Sequence, residues 1–211
     1  MEQAEVLREL ADSGALLEGH FQLSSGLHSD RYFQCALALS DPARAERLAR
    51  ALAAAIHEPV DVVVGPALGA VTWAHELARA LGVRSIFTER QAGAKGGAME
   101  LRRGFRLERG ERVLVVEDVL TTGGSVREVF AVVRALGAEV VRVGAIVDRS
   151  ARDPFADDGV PLSALARVEA KAWPPADCPL CAAGGVARKP GSRPGAMPDA
   201  MPDQVKRSAR A

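Results

Sequence analysis

The chain has 211 residues, of which 48% are hydrophobic and 26% are charged, and its formal net charge is zero. This length and apolar content suit a single globular domain with a real core. The balanced charge argues against a polyanion-binding surface, so we expect no nucleic-acid partner. No apolar run is long enough for a transmembrane helix, so we expect no membrane partner. The first residues lack the regions of a signal peptide, and we expect a cytoplasmic location.

Helices and strands are predicted in alternation, which favours an α/β fold with a mostly parallel central sheet flanked by helices. In chain order, the pattern predicts a helix (2–12), a strand-rich segment (16–33), a helix (42–56), a strand (61–65), a helix (70–81), a strand (84–88), a glycine-rich loop (89–104), a strand (113–117), a helix (126–136) and a strand (140–147).

The segment 113–125 carries the strongest functional signal. Four apolar residues lead into Glu117 and Asp118, and a Thr/Gly/Ser run then precedes a helix. Carboxylates at a strand end can accept hydrogen bonds from ribose hydroxyls or hold Mg²⁺ through water. The free N–H groups of a helix N-terminus favour a phosphate. A solvated acidic pair and an ordinary turn are the alternatives for the parts, but their contiguous order indicates a site for a phosphorylated ribose.

A second glycine-bearing turn, 65–69, lies between a strand and a helix. It lacks the glycine spacing of a dinucleotide site and the lysine of a P-loop. It is either a plain connection or, at the same sheet edge, a cradle of backbone N–H groups for a diphosphate.

Three further features leave alternatives open. Tyr32 and Phe33 are either ordinary strand residues or one wall of a pocket for a flat heterocycle. Arg149 follows a strand, and is either a surface ion-pair residue or a fork that grips a carboxylate. Cys178 and Cys181 form a C-x-x-C pair with no second pair and no nearby histidine to complete four ligands. We therefore expect an incidental or structural role for this pair, with metal binding and redox chemistry as alternatives.

These motifs carry a family resemblance. The segment 113–125 resembles the phosphoribosyl diphosphate (PRPP) motif of type I phosphoribosyltransferases. The segment 14–33 is similar to the N-terminal signature of orotate phosphoribosyltransferases, which Phe21, Leu23, Ser25, Gly26 and Ser29 match. The resemblance covers roughly residues 14 to 185. One departure is Ser24, which stands where many of these enzymes carry a lysine.

The resemblance implies the type I phosphoribosyltransferase fold with a small N-terminal hood at about 1–35 and a flexible lid at about 89–104. One domain would span 1–185, and 186–211 would form a disordered tail. The implied reaction joins orotate to the phosphoribosyl group of PRPP with Mg²⁺ as cofactor, in a homodimer. A phosphoribosyltransferase for another base, or a non-catalytic PRPP- or nucleotide-sensing regulator on the same fold, is the alternative.

The resemblance also implies the site residues. The catalytic residues would be Glu117, Asp118 and Lys95 of the lid, and magnesium would be held through PRPP and water near the two carboxylates. Orotate would contact Thr121, Arg149, Tyr32 and Phe33. PRPP would contact Glu117, Asp118, Val119, Leu120, Thr121, Thr122, Gly123, Gly124, Ser125, Pro66, Ala67, Leu68, Gly69 and Arg90.

Overall fold

The structure is a computed structural model, which describes residues 1–23, 25–91, 97–169 and 171–190. The chain divides into two units. The larger unit comprises Met1–Leu17 and Phe33–Ala170, and the smaller unit comprises Glu18–Tyr32 and Lys171–Ala211. The predicted disordered tail falls mostly on 191–211, which lie outside the described residues.

A six-stranded sheet in the order β5-β4-β3-β6-β7-β8 forms the centre of the larger unit. Neighbouring strands are parallel, except that β4 and β5 are antiparallel. The strands are β3 (Val62–Pro66), β4 (Arg84–Arg90), β5 (Met99–Leu101), β6 (Arg112–Leu120), β7 (Glu139–Asp148) and β8 (Leu162–Arg167).

Helices cover both faces of this sheet. They are α1 (Gln3–Asp12), α2 (Cys35–Leu39), α3 (Pro42–Ala53), α4 (Gly69–Leu81) and α5 (Gly124–Ala135), and a short 3₁₀ helix spans Ala156–Asp158. In β6, Leu114 and Val116 join one core cluster while Val113 and Val115 join the other. Side chains alternate between the faces of a strand, so both faces of β6 are buried. The predicted α/β class is confirmed.

Local sequence signals explain several boundaries. The α3 helix begins after Asp41, whose Oδ1 accepts hydrogen bonds from the backbone N–H of Ala43 at 3.0 Å and of Arg44 at 3.4 Å. A proline follows at the first helical position, where its missing N–H costs nothing. The α4 helix ends at Gly82, whose φ of 71° is left-handed, as expected for a glycine after a helix.

The order of the strands creates a switch point. After β3 the chain runs outward to β4, whereas after β6 it runs in the opposite direction to β7. The crevice at the carboxyl ends of β3 and β6 is therefore the place where ligands bind in open α/β sheets.

Two predicted elements were wrong in extent. The strand predicted at 113–117 continues to Leu120, because β6 stays paired with β7 as far as Leu120 opposite Asp148. The segment 89–104 is not strandless, because β4 extends to Arg90 and β5 pairs with it, with Arg90 opposite Met99. The glycines of this segment gave no indication of the pairing between β4 and β5, and residues 92–96 lie outside the described part.

The smaller unit contains most of a three-stranded sheet in the order β1-β2-β9. Its strands are β1 (Leu16–Gln22), β2 (His28–Phe33) and β9 (Ala172–Trp173), and α6 (Pro179–Ala182) follows. Strand β9 runs antiparallel to β2 and places Trp173 opposite His28. The sequence predicted a hood from the N-terminal residues alone, whereas this unit joins residues from both ends of the chain.

In the described part of the chain, no helix combines the length and the apolarity that crossing a membrane requires.

Candidate active site

Two adjacent carboxylates lie within β6 near the switch point. Glu117 and Asp118 are half-buried, and the strand continues beyond them to Leu120. The backbone N–H of Asp118 donates to Glu117 Oε1 at 3.2 Å, and that of Val119 donates to Asp118 Oδ1 at 2.8 Å. These bonds hold both side chains at the ligand edge of the sheet.

The surroundings of Glu117 favour its protonated form. Burial, followed by the neighbouring charge of Asp118 and a hydrogen bond with it, raises the pKa of Glu117 well above its ordinary value. Glu117 therefore retains a proton to higher pH than an exposed glutamate. A cation or a set of hydroxyl donors at this point would favour the ionised pair.

The turn after β3 reaches the same point. A Cβ placed on Gly69 would lie 3.3 Å from Asp118 Oδ1 and 3.4 Å from Oδ2. A Cβ on Gly65 would lie 2.9 Å from the backbone oxygen of Ala70, so the turn closes tightly. The Ala67–Leu68 peptide is cis, and Leu68 is 86% exposed. The structure thus brings the turn and the acids together.

A second turn leads from β6 into α5. Thr121 and Thr122 are exposed, and Gly123 has a φ of 73° at the N-cap of the helix. A Cβ on Gly123 would also lie 2.9 Å from the ring of Phe155, so both its backbone angle and its packing require glycine. Among the described residues, no side chain caps the start of α5 or the start of α4 at Leu68. The N-terminus of α4, which follows β3, and the N-terminus of α5, which follows β6, therefore offer free backbone N–H groups to a ligand.

Arg149 lies at the same edge, directly after β7. Its backbone N–H donates to the carbonyl oxygen of Leu120 at 2.8 Å. Its guanidinium carbon stands 5.4 Å from the ring centroid of Phe33, and only 7% of Arg149 is exposed. Arg149 is therefore buried rather than at the surface, and its contact with orotate stays a prediction. A buried guanidinium stacked on an aromatic ring is suited to bind a planar anion.

The comparisons with known proteins agree with this geometry. A family model described as "Phosphoribosyl transferase domain" matches residues 37–193. The orotate phosphoribosyltransferase of Heliobacterium modesticaldum is 53% identical over 196 residues, covering 92% of this chain and 100% of the relative. That of Pelotomaculum thermopropionicum is 51% identical over 194 residues, covering 92% and 99%. This chain belongs to the orotate phosphoribosyltransferase family.

A solved structure shares the fold. The crystal structure of orotate phosphoribosyltransferase from Aeropyrum pernix has a TM-score of 0.64 and 29% identity, covering 77% of this chain and 93% of that chain. The type I phosphoribosyltransferase fold that the sequence predicted is confirmed.

The residues predicted to bind PRPP differ in how far their side chains are exposed. The Leu120 side chain is 1% exposed and packs in the core, so only its backbone is available at the edge. Pro66 is buried as the last residue of β3. Gly124 opens α5, and Ser125 is half-buried in its first turn. The contacts of these residues with PRPP stay a prediction.

The cations of the predicted lid are paired with acids in the described part of this phosphoribosyltransferase. Arg90 forms an ion pair of 2.7 Å with Glu128 of α5, and its Nη1 donates to the carbonyl oxygen of Gly97 at 3.0 Å. Arg103 donates from two nitrogens to Glu89, at 2.7 and 2.8 Å. Lys95 lies outside the described residues, so its assignment stays a prediction.

Tyr32 and Phe33 fall in different units. Phe33 belongs to the larger unit beneath Arg149, and Tyr32 belongs to the smaller unit, where its ring centroid lies 6.0 Å from that of Phe21. An orotate contact from either ring stays a prediction.

Sequence reasoning missed Cys35 as a neighbour of the acids. This buried residue begins α2, and its Sγ lies 4.0 Å from the backbone oxygen of Asp118. Burial, and then the charges of Asp118 and Glu117, raise the pKa of the Cys35 thiol well above its ordinary value. The thiol therefore stays neutral and adds no charge to the acidic site. No local sequence signal could have placed it there.

Proposed function

We propose that the protein transfers the 5-phosphoribosyl group from PRPP to orotate, giving orotidine 5′-monophosphate and diphosphate in pyrimidine synthesis. The supporting observation is the hydrogen bond that joins the part of the site proposed for PRPP to the part proposed for orotate. Arg149 donates through its backbone to Leu120, which directly precedes the Thr121–Ser125 turn. One sheet edge therefore carries the groups for a ribose phosphate and a guanidinium for the carboxylate of the acceptor.

The chain's residues would act by position and charge. The bond from the ribose C1 to the diphosphate oxygen breaks, and the electron pair leaves with the diphosphate. A bond from C1 to N1 of orotate forms. Because orotate can enter as the N1 anion, after its N1 proton has passed to water, no general base is required. The protein must align the two reactants and favour the positive ring that develops between them.

Each turn has a proposed task in that alignment. The uncapped start of α5 with the 121–125 turn would hold the 5′-phosphate, and the 65–69 turn would hold the diphosphate. Glu117 and Asp118 would accept hydrogen bonds from the ribose hydroxyls. Their negative charge also stabilises the cationic ring of the transition state.

The oxygen donors of Glu117 and Asp118 fit Mg²⁺, which prefers carboxylate oxygens and retains several waters. Bound through PRPP and water, the ion would neutralise part of the charge that develops on the diphosphate. Because the pKa of Glu117 is raised, binding of a cation there would be accompanied by loss of the Glu117 proton.

We further propose a homodimer that works in the cytoplasm. Arg90 and Arg103 are already paired with acids of their own chain, which supports a contribution to diphosphate binding from another source, such as a partner subunit. The cysteines Cys35, Cys178 and Cys181 are free of disulfides, which is typical of a reducing compartment. Light-scattering mass at micromolar concentration tests the dimer.

The reaction is tested by mixing the purified protein with PRPP, Mg²⁺ and orotate. We expect loss of orotate absorbance, with one orotidine 5′-monophosphate and one diphosphate formed per orotate consumed. Omission of PRPP and the Asp118→Asn variant are the controls. Turnover with another base but none with orotate would contradict the substrate. Absence of turnover with every base would contradict an enzymatic role.

A further inference from the structure

Four side chains with metal-binding atoms converge in the smaller unit. They are His20 of β1, His28 of β2, and Cys178 and Cys181 at the start of α6, and their ligand atoms all lie within 4.8 Å of one another. The prediction that no histidine accompanies the Cys178–Cys181 pair was therefore wrong. The two histidines are far from the cysteines in sequence, and the fold brings them together.

The distances have the scale of a tetrahedral metal centre. His20 Nε2 lies 2.9 Å from His28 Nδ1, 3.5 Å from Cys178 Sγ and 3.6 Å from Cys181 Sγ. Cys181 Sγ lies 3.2 Å from His28 Nδ1. Zinc bonds of about 2.0–2.3 Å place tetrahedral nitrogen and sulfur ligands roughly 3.3–3.8 Å apart. The cluster therefore needs only small adjustments to enclose one ion.

Hydrogen bonding alone does not account for this convergence. An imidazole nitrogen carries either one proton or one lone pair, so it makes one hydrogen bond. Three ligand atoms nevertheless surround His20 Nε2, whereas its Nδ1 is buried without a hydrogen-bond partner among the described residues. A shared cation satisfies all four atoms at once.

The smaller unit also needs a source of stability other than apolar packing. In its described part, Phe21 and Cys178 are the buried apolar residues, and neither of the two core clusters contains a residue of this unit. Backbone hydrogen bonds join β1 to the segment after α6, from Gln22 N–H to Arg188 O at 2.6 Å and from Arg188 N–H to His20 O at 2.8 Å. Units with so small a core commonly depend on a metal or on disulfides.

We propose that His20, His28, Cys178 and Cys181 form a structural zinc site that fastens β1, β2 and the C-terminal α6 together. Two thiolates and two imidazoles are a borderline-soft donor set that suits Zn²⁺. With four protein ligands the coordination is complete, so the ion has a structural rather than a catalytic role. Binding releases the two thiol protons and couples the metal to the folding of this unit. The site is independent of the proposed transferase reaction.

Metal content is the first test. The full chain is made without a histidine tag, dialysed in metal-free buffer and analysed for zinc, iron, nickel and copper by mass spectrometry. We expect about one zinc per chain, falling below about a tenth in Cys178→Ser, Cys181→Ser, His20→Asn and His28→Asn. The matched controls Cys35→Ser, His57→Asn and His75→Asn change the chain's other cysteine and its other two histidines, and should keep the zinc.

Three outcomes of the metal analysis would overturn the proposal. They are no stoichiometric metal even after incubation with Zn²⁺, a stoichiometric metal other than zinc, and zinc that the four cluster variants retain. A mass lower by two hydrogens, mapped to a Cys178–Cys181 disulfide in protein kept free of oxidant, would also overturn it in favour of redox chemistry.

Cobalt substitution tests the geometry in the wild-type chain, so it does not depend on whether a variant folds. After exchange with Co²⁺, we expect the intense visible bands of tetrahedral cobalt and a near-ultraviolet sulfur-to-cobalt charge-transfer band. Weak octahedral bands alone would refute the site. A zinc-specific chelator should also lower the melting temperature of the wild type, and added zinc should restore it.

Discussion

The carboxylate of Asp118 lies directly beside Gly69, where a Cβ would stand 3.3 Å from Oδ1 and 3.4 Å from Oδ2. Gly69 is the first residue of α4, directly after the turn that follows β3, and Asp118 lies within β6. The absence of a side chain at Gly69 therefore lets the proposed diphosphate turn approach the acids that are proposed to hold the ribose.

We expect Gly69→Ala to weaken PRPP binding while leaving the fold intact. The added methyl group would press on both oxygens of Asp118, and the KM for PRPP should rise about tenfold, a loss of ~1.4 kcal/mol. Alanine is a better helix former than glycine at the start of α4, so the melting temperature should not fall. Initial rates against PRPP concentration and a thermal scan measure both. An unchanged KM would show that the turn does not contact PRPP.

Removal of the Arg149 guanidinium should affect orotate far more than PRPP. A charge-assisted hydrogen bond contributes about 1.5–3 kcal/mol, so Arg149→Ala should raise the KM for orotate by roughly 10- to 150-fold. Isothermal titration with each substrate separates the two affinities. Arg167→Ala is the matched control, because Arg167 binds the neighbouring Asp148 at 2.8 Å and is largely exposed. Equal losses of both affinities would exclude Arg149 as the specificity residue.

The stability of the protein should depend on pH through Glu117. Its raised pKa means that the folded chain binds a proton which the unfolded chain has already released, so stability falls as pH rises above the ordinary glutamate range. Glu117→Gln cannot ionise, and it should be more stable than the wild type at neutral pH, with the difference vanishing towards pH 4.5, the ordinary value. Thermal unfolding from acid to neutral pH measures this.

Glu58→Gln provides the opposite case. Hydrogen bonds from Arg142 lower the pKa of Glu58 to about 2. The ionised form therefore stabilises the folded chain at neutral pH, and this stability is lost as pH falls from 4.5 towards about 2. The variant should be less stable than the wild type at neutral pH and equal to it in strong acid. If both variants shift stability in the same direction at neutral pH, the assignment of burial as the cause at Glu117 is wrong.

We expect Gly123→Ala to destabilise the turn before α5. A left-handed alanine costs about 1–2 kcal/mol, and a contact of 2.9 Å with Phe155 adds roughly 1–3 kcal/mol of overpacking. Gly159→Ala is the matched control, since Gly159 has a φ of 66° and its Cβ would meet nothing within 4 Å. Denaturant unfolding of the two variants separates the backbone from the packing contribution. Equal losses would mean that the ring of Phe155 moves aside freely.

The sequence predicted the parts of the site that are local in the chain. The segment 113–125 and the turn 65–69 each follow a buried strand, and parallel strands bring their carboxyl ends to one edge. The closeness of Gly69 to Asp118 could not be predicted, because it depends on the register of β3 against β6, with Val62 opposite Val113. The antiparallel pairing of β4 with β5 was not predicted, because the glycines near the short edge strand β5 are typical of a loop.

Contacts between segments that are far apart in the sequence could not be predicted from the sequence. The cysteines at 178 and 181 suggested half of a metal site, but their spacing gave no pointer to His20 and His28. His28 is brought to the cysteines by the pairing of β2 with β9, where it lies opposite Trp173. The hydrogen bond from Arg188 N–H to the carbonyl oxygen of His20 joins β1 to the segment after the cysteines. Cys35 likewise reaches Asp118 only through the packing of α2.

A direct comparison of orotate with uracil tests the proposed function most sharply, because uracil is orotate without its carboxylate. We predict PRPP-dependent turnover of orotate by the wild type, with a kcat/KM at least about 100-fold higher than for uracil, as expected when a charged hydrogen-bond partner is left unpaired. In Arg149→Ala this ratio should collapse towards one. Equal turnover of both bases by the wild type, or turnover of uracil alone, would contradict orotate as the substrate.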